Sequence, residues 1–197
     1  MNYTKDDITA VIIAGGRSTR AEGNNKGLLL LHNKPLIQHI LSTIKNQVRD
    51  IVINVNSDLD SYQKYGYLVF KDINSQSLGP LSGLSNAAAH IKTEIILTLP
   101  CDSPFIPHDL ASRMLEELNK QHNSLMVADN GRQQNMFMML KRNKLNTIEA
   151  YLKNGGRSVH GWISQQAFNR VNFLDQPQCF RNINTLEELK TANLETR

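Results

Sequence analysis

Short apolar runs rich in β-branched residues alternate with stretches whose apolar residues recur at the helical period, and this alternation constrains the fold more than any other feature. Residues 8–14, Ile-Thr-Ala-Val-Ile-Ile-Ala, are almost continuously apolar, as a strand covered on both faces should be. The run stops at Gly15-Gly16. Segment 35–44 opens with proline and sets Leu36, Ile37, Ile40, Leu41 and Ile44 on one helical face, with proline at a first-turn position. A strand at 51–55, a polar helix near 58–65, a strand at 67–70, a helix at 80–91, a strand at 95–99 and a helix near 107–120 follow. Repeated strand-helix units predict an α/β fold of three layers, a doubly wound and mostly parallel sheet with helices on both faces, the Rossmann-like arrangement. In such sheets ligands sit beyond the carboxyl ends of the strands, where connections leave in opposite directions. Residues that carry chemistry are therefore expected just after strands. Beyond Ser124 the pattern weakens to strands at 125–128, 136–140 and 171–173 and helices at 144–152 and 186–192.

The chain has 197 residues, 40% hydrophobic and 20% charged, with no low-complexity tract, internal repeat or linker, which is the composition of one globular domain spanning 1–197. The polar start and the lack of any run near 18 apolar residues point to a cytoplasmic protein with no membrane partner. Cys101 and Cys179 stand far apart and outside a Cys-x-x-Cys spacing, so free buried thiols are expected. The six histidines lack metal-ligand spacing. A net charge of +4 suits an anionic ligand but forms no basic stripe, so nucleic acid is not expected as a partner.

Three motifs follow strands. The first, Ala14-Gly-Gly-Arg-Ser-Thr-Arg-Ala-Glu-Gly-Asn-Asn-Lys-Gly27, combines glycines that let backbone N–H groups approach phosphate with the cations Arg17, Arg20 and Lys26. It is neither a Walker loop nor a Gly-x-Gly-x-x-Gly fingerprint. Read blandly, it is a solvated glycine turn. The second, Asp72-Ile-Asn-Ser-Gln-Ser-Leu-Gly-Pro-Leu-Ser-Gly83, places a carboxylate before a proline-started helix. Guanine presents two donors on its Watson–Crick edge, which a carboxylate such as Asp72 would suit. The third, Leu97-Thr-Leu-Pro-Cys-Asp-Ser-Pro104, sets Asp102 in a proline-stiffened turn, where it could hold magnesium through one carboxylate, phosphate oxygens and water. A lone Asp there could equally be a helix cap.

With these motifs the sequence resembles, over nearly its whole length, the molybdenum cofactor guanylyltransferases, within the wider group of enzymes that transfer a nucleoside monophosphate. That family's strand ends Leu-Ala-Gly-Gly and continues Arg-Met-Gly-Gly-x-Asp-Lys-Gly-Leu. Here it reads Ile13-Ala-Gly-Gly16 and then Arg20-Ala-Glu-Gly-Asn-Asn-Lys-Gly-Leu28, with Ala21, Glu22 and Asn25 as departures. The family's Gly-Pro-Leu-Ala-Gly appears as Gly79-Pro-Leu-Ser-Gly83, and Pro-Cys-Asp-x-Pro is complete. Asn54 occupies a family nucleotide contact after the second strand. Asn182-Ile-Asn184 followed by Thr185-Leu-Glu-Glu-Leu189 is similar to a family segment whose asparagines face the cofactor side, although Thr185 and Glu188 also read as a plain capping box. At Arg132-Gln-Gln-Asn135 the family more commonly carries His-Pro.

The resemblance implies a nucleotidyltransferase domain that moves GMP from GTP to the phosphate of molybdopterin and releases pyrophosphate. It implies Asp102, Lys26 and Arg20 as catalytic residues and Asp102 as the Mg²⁺ ligand. Ile13, Ala14, Gly15, Gly16, Lys26, Asn54, Asp72, Gly79, Asn182 and Asn184 would contact nucleotide or cofactor. Transient contacts with cofactor-biosynthesis proteins and apo-molybdoenzymes would follow. The alternatives are a molybdopterin cytidylyltransferase, a sugar-phosphate nucleotidylyltransferase, or a weakly active adaptor that binds GTP or cofactor.

Overall fold

A computed structural model describes residues 2–15, 25–72 and 79–195. In chain order its strands and helices are β1 (Ile8–Ile13), β2 (Leu30–Leu31), β3 (Lys34–Pro35), α1 (Leu36–Ile44), β4 (Asp50–Asn54), α2 (Leu59–Gln63), β5 (Leu68–Phe70), α3 (Pro80–Asn86), β6 (Ile95–Pro100), α4 (Leu110–Lys120), β7 (Leu125–Asp129), β8 (Gln133–Lys141), α5 (Leu145–Lys153), α6 (Val159–Ile163), β9 (Asn169–Asn172) and α7 (Leu186–Leu194). Seven strands form one sheet in the order β5-β4-β1-β6-β8-β7-β9. All run parallel except β8, which is antiparallel to both neighbours.

The apolar runs form strands because both of their faces are covered. Along β1, Ile8, Ala10 and Ile12 belong to a core shared with Ile37, Ile40 and Ile44 of α1 and Leu110, Met114 and Leu118 of α4. Val11 and Ile13 point the other way, into a core with Leu81 and Leu84 of α3, Ile148 of α5 and the fully buried Trp162 of α6. That alternation is the period of a strand between two helical layers. The expected three-layer, mostly parallel fold is the observed one. No helix among the described residues is long and apolar enough to cross a membrane.

Two details bear on function. Connections from β1 lead outward to β4 and β5, whereas the later strands lie on the other side of β1 beginning with β6, so the order reverses between β1 and β6. The register aligns Ile13 with Asn54 and Pro100, and Asn54 with Phe70. Two residues past that row on each of the four strands stand Gly15, Asn56, Asp72 and Asp102.

Candidate active site

The carboxyl ends of β1 and β6 lie side by side: Cys101 N–H donates to Ile13 O at 3.1 Å, and Ala14 N–H donates to Asn54 O at 2.8 Å. A cavity of about 200 Å³ lies over these ends, with Ile13, Ala14, Lys26, Asp102 and Asn182 on its wall. Lys26 Nζ stands 3.6 Å from Asp102 Oδ2, and the two side chains are only 22% and 18% exposed. It also donates to Asn184 Oδ1 at 2.7 Å. Burial pushes the Asp102 carboxyl above its ordinary value, with the Lys26 charge pulling the other way. Cys101, fully buried beside it, is a free thiol pushed up to about 12 by desolvation, then by Asp102, so it stays protonated and inert at neutral pH. Cys179 is half-buried.

The C-terminal asparagines are bound to this centre from the far end of the chain. Ile183 N–H donates to Asp102 O at 2.7 Å. The buried Ser103 hydroxyl donates to Asn182 Oδ1 and lies 3.5 Å from Asp102 Oδ1. Thr185 caps α7 in a full capping box with Glu188, so the bland reading of that threonine holds while Asn182 and Asn184 still reach the site. A second cavity of about 570 Å³ shares Pro100, Met136 and Asn182 with the first and carries Arg132, Gln134 and Asn135 on its other wall. Thr98 holds Met136 at this junction: its hydroxyl donates to Met136 O at 2.8 Å and accepts from Met138 N–H at 3.1 Å.

On the other side of β1, Asp72 is gripped by amides. Asn54 Nδ2 donates to its Oδ1 at 2.9 Å, Asn86 Nδ2 to the same oxygen at 3.3 Å, and Asn56 Nδ2 to its Oδ2 at 3.2 Å. Asn56 Nδ2 also donates to Gly15 O at 2.7 Å. A Cβ on Gly15 would lie 2.8 Å from both Asn54 Oδ1 and Asn56 Nδ2, and one on Gly83 would lie 2.3 Å from Asn54 Oδ1. These glycines are therefore required by side-chain packing.

The structure thus brings together Ile13, Ala14, Lys26, Asp102, Asn182 and Asn184, and sets Gly15, Asn54 and Asp72 in an adjoining network. Gly79 precedes Pro80 at the start of α3 with φ of 86°, a conformation that favours glycine, but only Pro80 lines the cavity. Gly16 and Arg20 lie outside the described residues, as do Arg17, Glu22 and Gly23. Among the described residues no group of three or more His, Cys, Asp or Glu could hold a metal unaided. A single half-buried carboxylate fits a hard cation that takes its other ligands from phosphate and water.

Residues 10–169 match the family model of the MobA-like NTP transferase domain. A molybdenum cofactor guanylyltransferase of Shewanella putrefaciens is 42% identical over 92% of this chain and 93% of its own, and one of Shewanella pealeana is 40% identical over 92% and 91%. The chain belongs to the molybdenum cofactor guanylyltransferase family of MobA-like NTP transferases. Its fold is also that of the molybdopterin-guanine dinucleotide biosynthesis protein A of Archaeoglobus fulgidus, with a TM-score of 0.77 at 17% identity over 94% of this chain and 96% of that one. A CMP:2-keto-3-deoxy-manno-octonic acid synthetase shares the fold at a TM-score of 0.72 and 13% identity over 94% and 96%. As a family member the chain is a nucleotidyltransferase, an enzyme class that is typically metal-dependent.

One departure from the family signature makes specific local contacts. At position 25, where the signature carries Asp, Asn25 Oδ1 accepts from the buried Tyr62 hydroxyl at 2.6 Å, while its Nδ2 lies 3.3 Å from Asp58 Oδ2. Burial raises the Tyr62 pKa, so the hydroxyl remains a donor. An aspartate at position 25 would keep the bond from Tyr62 but face Asp58 with a second negative charge. Asn25→Asp should lower stability by about 1 kcal/mol, the scale of two charges near 4 Å in water. Urea midpoints read the loss, and Asp58→Asn in the same chain should recover it. Additive losses from the two changes would disprove the contact.

Proposed function

We propose that the protein transfers GMP from GTP to the terminal phosphate of molybdopterin, with Mg²⁺ as its metal. What supports this reading is the pairing of one half-buried carboxylate, Asp102, with Lys26 at the reversal point of the sheet, in a chain whose relatives are named for that activity. Asp102 would hold Mg²⁺, which when bound neutralises phosphate charge. Lys26 offsets the charge that develops on departing pyrophosphate. The acceptor phosphate oxygen attacks the α-phosphorus, the bond from that phosphorus to the β-bridging oxygen breaks, and no covalent enzyme intermediate is required. The protein's work is positioning and charge neutralisation. Asp72 takes the donor edge of guanine, and Asn182 and Asn184 face the acceptor in the larger, amide-lined cavity.

Pyrophosphate release from GTP, CTP, ATP and UTP with Mg²⁺ and molybdopterin tests base and activity together. Release confined to GTP is expected; release from CTP would make the enzyme a cytidylyltransferase, and none from any nucleotide would leave an adaptor. Lys26→Ala should weaken GTP binding about tenfold, the value of one charge-assisted contact. Calorimetry should find a smaller loss for GMP, and equal losses would move Lys26 away from the outer phosphates.

A further inference from the structure

We propose that Asn56 and Asn86 are positioning residues that set the base selectivity of this enzyme by fixing the Asp72 carboxylate. The inference rests on the reading of Asp72 as the group that meets guanine. The amides of Asn54 and Asn86 occupy Oδ1, at 2.9 and 3.3 Å, and that of Asn56 reaches Oδ2 at 3.2 Å. A carboxylate offers about four acceptor positions. Among the described residues three are filled, and the remaining one, on Oδ2, is left for a ligand donor. Among the described residues no lysine or arginine forms an ion pair with Asp72. Among the described residues its charge is held by neutral amides alone.

Asn56 adds a second constraint. Its Nδ2 donates to Gly15 O at 2.7 Å, and its Oδ1 lies 3.4 Å from the Asp72 N–H, so one side chain ties the backbone after β1 to both the main chain and the carboxylate of Asp72. Asn86 reaches the same carboxylate from the last turn of α3. The carboxylate therefore cannot rotate without breaking bonds to β4, its continuation and α3. A fixed acceptor rewards a ligand that brings a donor to that point and penalises one that does not, because a desolvated carboxylate oxygen would be left unpaired. Guanine brings its 2-amino group, hypoxanthine lacks that group, and adenine presents C–H there.

Calorimetry of the full chain with GTP and with inosine triphosphate, both with Mg²⁺, separates positioning from mere support. The wild type should bind GTP about tenfold more tightly than inosine triphosphate. Among the described residues Asn86 bonds only Asp72 through its side chain, so Asn86→Ala should fold and bring that ratio to within about twofold of unity, chiefly through weaker GTP binding. Asn86→Asp, which opposes one carboxylate with another, should do the same more strongly, and Asn56→Ala should follow it. Equal losses for both nucleotides would overturn the proposal, as would an unchanged ratio. A wild type that prefers GTP to CTP yet binds inosine triphosphate equally well would also overturn it while leaving guanylyl transfer standing. No preference for GTP over CTP would overturn both.

Discussion

Asp102→Asn should reduce transfer by about 10²-fold or more, the scale of deleting one electrostatic contact to a developing charge, without lowering the thermal midpoint. The substitution is nearly isosteric and leaves the backbone bond from Ile183 N–H to Asp102 O untouched. Its effect on stability follows from the direction of the pKa shift. Burial raises Asp102, so the folded chain favours the protonated acid. A raised acid contributes stability that is fully present in acid, below its unfolded pKa, and is lost as pH rises through the folded pKa. The fold therefore disfavours the ionised carboxylate, and a neutral amide should leave the midpoint where it is or raise it. Steady-state rates beside a thermal melt at neutral pH check both halves. A rate within a few-fold of wild type would remove Asp102 from the metal site; a clear fall in midpoint would mean that the carboxylate supports the fold.

Gly83→Ala should weaken GTP binding by as much as about 10²-fold and destabilise the fold by about 1–3 kcal/mol, the range for overpacking a tight interior. In an exposed helix the same change would stabilise, because alanine is the better helix former by about 1 kcal/mol. Here the sign reverses: the added methyl would lie 2.3 Å from Asn54 Oδ1 and 2.8 Å from Asn54 Cγ. Asn54 is 1% exposed, so its amide cannot swing out into solvent in place. It must turn, and its bond to Asp72 breaks with it. Asn54→Ala in the Gly83→Ala background should restore stability but not GTP affinity. A Gly83→Ala protein that binds GTP normally would show that the α3 contact is slack.

The strands and most helices could be read locally because both faces of the sheet are buried, so each strand is an apolar run bounded by polar turns. Reading failed where the burial pattern was interrupted for a reason. Strand β8 begins at Gln133, three residues before the expected 136, because Gln133, Gln134 and Asn135 line a cavity and therefore look like loop. The two-residue strands β2 and β3 are joined through His32 and Asn33 at φ of 48° and 62°, a left-handed turn without the usual glycine to announce it. Helix α6 is five residues long, too short to display a period. The expected helix at 80–91 is α only to Asn86 and continues as a 3₁₀ turn through His90. In the site, Asp102 and Lys26 stand inside motifs and were legible. Asn56, Asn86 and Tyr62 were not, because an isolated polar residue carries no local pattern, and Ser103, though beside Asp102 in its motif, reaches Asn182 only through the fold; the bonds that give these four a role join residues distant in the sequence.

The register row past the ends of β5, β4, β1 and β6 turns the sheet into a ruler. Three gaps between neighbouring strands separate the Asp72 position from the Asp102 position, and at about 4.8 Å per gap the two backbone positions stand roughly 14 Å apart. On the proposed reading, a free base or a lone pyrophosphate would reach one mark on that scale but not both. On that reading, a ligand with a base at one end and phosphates at the other would cover the interval, and length would be sensed together with chemistry. Because the strand spacing is fixed by backbone hydrogen bonds, no side-chain substitution can change the scale; it can only erase a mark.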